Sequence, residues 1–214
     1  NKMNKTVDWA GKFKRITKDN WQEYIQQVWL EITCGEGPFI VSRYDPTAHN
    51  GEIISLEKRV GFLDKKIRII SEYCEHKKDW LFWAEKAFQA SYGYDWQGDN
   101  ILLARENLLY TLIDYYTDKF NEKPNNKILN QFAEIISWNI FQMDGLKYVV
   151  PMSCHHEIKI IKGVSTLFGE KPNIVEKYEC EGCKYNRSNK HNGKYVKIMD
   201  WNKNKVVRFT DLIE

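Results

Sequence analysis

The run DNILLARENLLYTLIDYYTDKF, residues 99–120, constrains the fold more than any other stretch. Wound as an α-helix at about 100° per residue, it is apolar over more than half its circumference, the pattern of a helix enclosed by others. Asp99 can cap its start. The rest of the first 150 residues supplies neighbours to enclose it. DNWQEYIQQVWLE (19–31) repeats Trp21, Tyr24, Ile25, Val28 and Trp29 at helical spacing. A helix opened by Ser55 carries Leu56, Val60, Leu63, Ile67 and Ile70 on one stripe and Lys58, Arg59, Lys65 and Lys66 opposite. That basic side is either a solvated face or a phosphate-contacting one. DWLFWAEKAFQAS (79–91) forms another helix, closed by Gly93, and residues 124–143 a further one, ended by Asp144-Gly145.

After Pro151 the periodicity changes. IKIIKGVSTLF, NIVEKYEC, KYVKIMDW and KVVRFTDLI are short β-like runs separated by Gly, Asn, Ser and Lys. The expected architecture is mainly α, with a helical bundle-like domain over 1–150. A small β-rich, zinc-binding module over 151–214 makes the chain α+β overall. A length of 214 residues fits one good-sized domain with an appendage.

Two polar residues interrupt apolar arcs. Arg105 falls among Ile101, Leu102, Leu108, Leu109 and Leu112, and Asn139 among Ile128, Phe132, Ile135, Ile136 and Met143. A buried guanidinium stranded without a partner costs several kcal/mol, so Arg105 requires a carboxylate, a phosphate or several carbonyls. Glu31, Glu36, Asp45 and Asp99 are the available acids. ITCGEGPFIVSRYDP (32–46) places Cys34, Glu36, Ser42, Arg43, Tyr44 and Asp45 beside the helix-breakers Gly35, Gly37 and Pro38. SYGYDWQGDN (91–100) packs Tyr92, Tyr94, Asp95, Trp96, Gln97 and Asp99 into an interhelical turn, and WNIFQMDG adds Gln142 and Asp144. These groups either lock the packing of two central helices or line a cleft between them. In the second case Glu36, Asp45 and Asp99 would hold Mg²⁺, with Arg43 and Arg105 against phosphate charge. Ser42, Tyr44, Trp96, Gln97, Asn139 and Gln142 would then contact the substrate. Cys34 is expected to be packed, since as a nucleophile it has only His49 close in sequence.

Five cysteines, an odd number, argue against a disulfide framework. Cys180 and Cys183 form a CxxC around a glycine, the knuckle spacing for two thiolates on one zinc. Cys154 can supply a third ligand and His191, His155 or His156 the fourth. A module this small needs such a staple. Free thiols and a redox pair are the alternatives, although the βαβ setting of a redox CxxC is absent. The same end is basic, from Lys184 and Arg187 to Lys205 and Arg208, with Tyr185, Tyr195 and Trp201 interleaved. It is either a nucleic-acid surface or a solvated one.

Net charge is only +3, too weak to diagnose nucleic-acid binding by itself. No apolar run approaches a membrane span, and the polar, basic N-terminus is not a signal peptide, so no membrane partner and a cytoplasmic location are expected. The first residue is Asn, as in a fragment or a processed chain. There is no GxGxxG after a strand and no GxxxxGK[ST].

VSRYDP, EKRVGFLDKKIRII, SYGYDWQGDNILLAREN and SWNIFQMDGL together resemble a bacterial and phage family. Its members are usually labelled "restriction endonuclease subunit M". The resemblance covers about residues 20–150 and implies a DNA-directed role in restriction–modification or phage defence. By position its motif residues are Ser42, Arg43, Tyr44, Asp45, Trp96, Gln97, Gly98, Asp99, Asn139, Gln142 and Asp144. Methyl-donor and target-amine motifs are absent, so methyl transfer by this chain alone is not expected. Three functions follow as expectations. The first is a DNA-binding component, alone or with other restriction–modification subunits. The second is a metal-dependent nuclease or phosphodiesterase using the acids of the helical domain. The third is a non-catalytic protein-interaction modulator.

Overall fold

The computed structural model describes residues 16–45, 51–161, 165–166, 169–170 and 174–212. The N-terminal basic stretch up to residue 15 and His49 lie outside them. Of the described residues 44% are helical and 19% lie in strands, and the fold is α/β, not a mainly helical bundle. What overturns the bundle is a parallel sheet of three short strands: β1 Trp29–Ile32, β2 Ser91–Asp95 and β3 Ile140–Gln142, in that order. Trp29 pairs with Ser91 and Ile32 with Tyr94, and Tyr94 in turn with Phe141. Each strand follows directly on a helix or a helix-like turn.

The chain falls into two compact units, 1–142 with 199–205, and 143–198 with 206–214. In the first, α1 Trp21–Gln26 precedes β1. The path to β2 runs through α2 Phe62–Tyr73 and α3 Lys77–Gln89, and that to β3 through α4 Gly98–Phe120 and α5 Asn126–Asn139. α4 buries Ile101, Ala104, Leu108, Leu112, Tyr115 and Tyr116, a stripe at helical spacing. Fully burying side chains such as Leu108 and Leu112 contributes about 1.5–3 kcal/mol each. Asn121 closes the helix in the left-handed region at φ +53°. α5 is capped by Asn125, whose side chain accepts from Ile128 N at 3.1 Å. Trp80 of α3 is wholly enclosed, edge-on to Tyr116 and Phe120, with its indole N–H donated to Ser71 Oγ at 2.9 Å.

α2 departs from the basic-faced helix expected from Ser55 onward. Leu56–Lys58 is a single 3₁₀ turn, and the helix begins only at Phe62. Arg59 and Lys66 are buried, not solvated. Arg59 bonds Asp114 Oδ2 at 2.7 Å, and Lys66 Nζ donates to the carbonyls of Gln27 at 2.6 Å and Ala90 at 3.2 Å.

In the second unit β4 Glu157–Ile161 pairs antiparallel with β7 Ile174–Tyr178, and β5 Ser165–Thr166 with β6 Gly169–Glu170. A short helix, α6 Glu181–Tyr185, follows. β8 Lys197–Asp200 pairs with β9 Lys205–Arg208. No helix among the described residues is long and apolar enough to cross a membrane.

Candidate metal centre

Cys180 ends the extended segment after β7 and stands at the N-cap of α6, so the helical turn carries Cys183 back toward it. Asn186 then turns the chain at φ +52°, and the returning loop delivers His191. Cys154 arrives from the turn after Val150, where Ser153 N donates to the Val150 carbonyl at 3.1 Å. The four donor atoms lie within 4.8 Å of one another, and the cluster can hold a metal ion. His191 Nδ1 is 3.6 Å from Cys154 Sγ, 3.7 Å from Cys180 Sγ and 3.6 Å from Cys183 Sγ. A tetrahedral ion with metal–sulfur and metal–nitrogen bonds of about 2.3 and 2.0–2.1 Å requires sulfur–nitrogen edges of about 3.5–3.6 Å. The observed edges meet that requirement. His191, not His155 or His156, completes the set.

The surroundings fit thiolate and imidazole ligands. Asn192 N donates to Cys180 Sγ at 3.3 Å. Burial raises the Cys180 thiol, but this amide and the neighbouring cysteines outweigh it and hold the group below its ordinary value. Burial pushes Cys154 up to about 11, reinforced by hydrogen bonding with Cys183 and Cys180, so an ion is needed to keep it ionised. Burial, then the Lys147 ammonium, lowers His191, which favours the neutral imidazole a metal requires. Lys147 sits 3.8 Å from Asp144 Oδ2. Burial opposes its charge, but Cys183, Asp144 and Cys154 outweigh that and raise its pKa. A recess of about 210 Å³ opens beside the thiols, lined by Asp144, Lys147, His155, His156 and Glu179 among others. Two glycines make room for the ligands. A Cβ on Gly182 would stand 2.6 Å from His191 N and Nδ1, and one on Gly193 2.9 Å from Cys154 Sγ.

Elsewhere the polar residues marked by the sequence separate into two groups. Arg43, Tyr44 and Glu36 come together against α4, and Ser42 faces the start of α2. Tyr44 OH donates to the Glu36 carboxylate and accepts from Asn107 Nδ2 at 3.2 Å. Arg43 bonds Asp114 Oδ2 at 3.1 Å and lies over the Tyr110 ring at 4.9 Å. Ser42 is structural in its contacts: its hydroxyl accepts from Val60 N and Gly61 N, and its own N–H donates to buried Asp64 at 2.7 Å. Trp96, Gln97 and Gln142 gather instead at the carboxyl ends of β2 and β3, where Gln142 Nε2 donates to the Trp96 carbonyl at 2.8 Å.

Asp99 is exposed in the first turn of α4, and Asp45 is exposed in its loop. Among the described residues, Glu36, Asp45 and Asp99 do not form a group able to share an ion. Arg105 is satisfied by carbonyls, Ile140 O at 2.9 Å and Ser137 O at 3.0 Å, at the end of α5. Asn139 is buried, donating to the carbonyls of Phe88, Gln89 and Ser91 and accepting from Trp201 Nε1 at 2.7 Å. It joins α3, β2 and α5, with both ends of its amide bonded. Cys34 is buried, and burial, with Glu31 and Asp95 beyond it, pushes its thiol up to about 12, which is not a nucleophile's environment.

Sequence reasoning placed no role on Lys147 or Gly193, because nothing in their local pattern shows that they meet the cysteines. It also passed over Asp95 as an organiser. Asp95 Oδ2 accepts from Gly35 N at 3.0 Å and Oδ1 from Gln97 N at 2.8 Å, tying together the loops that follow β1 and β2. No protein-family model matches the chain, and no curated protein or solved structure does.

Proposed function

We propose that the chain is a DNA-binding component of a restriction–modification or phage-defence system, with a structural zinc ion in its second unit. Three thiolates and one imidazole are a soft, borderline donor set that suits zinc. With four protein ligands the ion has no open position, so it supplies folding energy and not a reactive water. The observation that carries the nucleic-acid reading lies just beyond the CxxC. There Tyr185 is 55% exposed, with the Lys184 ammonium 5.1 Å and the Arg187 guanidinium 5.6 Å from its ring centre. Lys190 and Lys194 are exposed farther along the same segment. Two cations held over a half-exposed aromatic ring offer paired phosphate contacts, with the ring available to a base when they swing onto the backbone. In the first unit, Glu36, Trp96 and Gln97 follow the carboxyl ends of parallel strands, where α/β folds bind ligands. The sequence resemblance favours the same role.

The test is fluorescence anisotropy of labelled duplex DNA over a salt series. Binding should weaken steeply with salt, and the double variant Lys184→Glu/Arg187→Glu should reduce the slope of log K against log salt by about two. Failure to bind duplex even at low salt overturns the DNA reading. Metal analysis of protein purified without chelator should give one zinc per chain, and metal-free folded protein overturns the zinc reading.

A further inference from the structure

The three thiols of the metal centre differ in how far solvent reaches them. Cys154 and Cys183 are half-buried, and both line the recess of about 210 Å³. Cys180 borders it too but is only 3% exposed, and its sulfur accepts from Asn192 N at 3.3 Å. The other two cysteines, Cys34 and Cys74, are buried in the first unit. A small, uncharged oxidant therefore has a path to two sulfurs of the cluster and to neither thiol outside it.

Zinc holds its cysteine ligands as thiolates, the form that attacks an oxidant. Three thiolates on a divalent ion leave one negative charge on the complex, and that charge resides on sulfur. The four donor atoms lie within 4.8 Å of one another, so the sulfurs are already neighbours when the ion leaves.

We propose that the centre is a peroxide-sensitive switch, in which oxidation joins Cys154 to Cys183 and expels the zinc. One exposed thiolate attacks an oxygen of hydrogen peroxide. An S–O bond forms, the O–O bond breaks, and the departing hydroxide takes a proton from solvent. That sulfur has lost two electrons and is now a sulfenic acid, no longer a thiolate ligand. The other exposed thiolate attacks it: the S–S bond forms, the S–O bond breaks, and a second hydroxide leaves as water. The balance is two thiolates, one peroxide and two protons giving one disulfide and two waters. Either order of attack gives the same product. Cys180 is the poorer partner, because it is enclosed and the Asn192 amide draws electron density from its sulfur. Zinc is left with Cys180 and His191, two ligands of four, and dissociates, so the second unit loses its staple. The proposal rests on the zinc reading and not on the DNA one.

The test treats full-length, zinc-loaded protein with equimolar hydrogen peroxide, follows released zinc with a chromophoric chelator, and maps disulfides in a non-reduced digest. One zinc should appear per chain, with a Cys154–Cys183 disulfide and with Cys34 and Cys74 still reduced. Dithiothreitol and added zinc should restore the metal content. Zinc that stays bound under about tenfold excess peroxide overturns the proposal and leaves a purely structural ion. A Cys180–Cys183 disulfide in place of the expected one also overturns it, as does zinc loss that dithiothreitol does not reverse. A chain that takes up no zinc before peroxide is added fails the metal reading itself, and the switch with it.

Discussion

Lys66 shows how a single side chain can contradict its own pattern. It sits on the polar side of its helix in sequence, yet it is fully buried with two carbonyls as its hydrogen-bond partners. Burial holds its pKa well below the ordinary lysine value. The unfolded chain therefore binds the proton more readily between the folded and unfolded pKa values, and stability rises with pH through that interval. Lys66→Met forfeits two hydrogen bonds of about 1 kcal/mol each but removes this pH dependence. Denaturant melts of both proteins should show the wild type gaining on the variant as pH rises toward the ordinary lysine value; parallel curves would disprove it. Asn139 is the opposite case, since its buried position was legible from helical angles. Asn139→Ala removes two N–H donors shared among three carbonyls and one accepted bond and should cost about 2–4 kcal/mol, read in the same melts. At the candidate metal centre, Lys147→Met removes an ammonium that interacts with Cys183 and Cys154. Competition with a chromophoric chelator should find zinc held about tenfold less tightly or worse.

At the scale of elements, the three strands of the parallel sheet were the part hidden in the sequence. The expected helix over 19–31 stops at Gln26, and Gln27 turns to ψ 126° so that Trp29–Ile32 can run as β1. SYGYD looked like a turn and is the central strand, and Ile140–Gln142 looked like the end of a helix and is β3. A strand of three to five residues shows too little alternation to distinguish it from a last helical turn, and its partners lie tens of residues away. Gly93 belongs to this register: a Cβ there would stand 2.8 Å from Ile40 Cδ1 and 3.2 Å from Cys34 Sγ. The CxxC was legible because its ligand spacing is local. Its glycine has a testable role, since the Cβ of Gly182→Ala would strike His191. That variant should bind zinc 10- to 100-fold more weakly while circular dichroism of the α-helical unit is unchanged.

For the molecule as a whole, the two units draw stability from different sources. The first has a continuous core through Trp80, Leu63, Ile67, Leu108, Leu112 and Phe132. The second exposes Ile158, Ile160, Ile161, Ile174 and Val175 on its ribbon and gathers its own fixed points at the cysteines. Chelation should therefore unfold the second unit selectively. Hydrogen exchange after EDTA treatment should rise sharply across 153–196 and stay slow in α3, α4 and α5; uniform protection with and without chelator would show that the ion is not the staple.

The sequence by itself determined α4 as a long helix with a buried stripe, the helices α3 and α5, the change of character after Pro151 and three of the four candidate metal ligands, because these depend on spacing along the chain. Only the tertiary structure decided that short strands assemble into a parallel sheet, that Arg105 and Asn139 are satisfied by backbone carbonyls, and that His191 is the fourth donor. Those outcomes depend on which distant segments meet, and the partners of a buried polar group are set by that meeting, not by its neighbours in sequence.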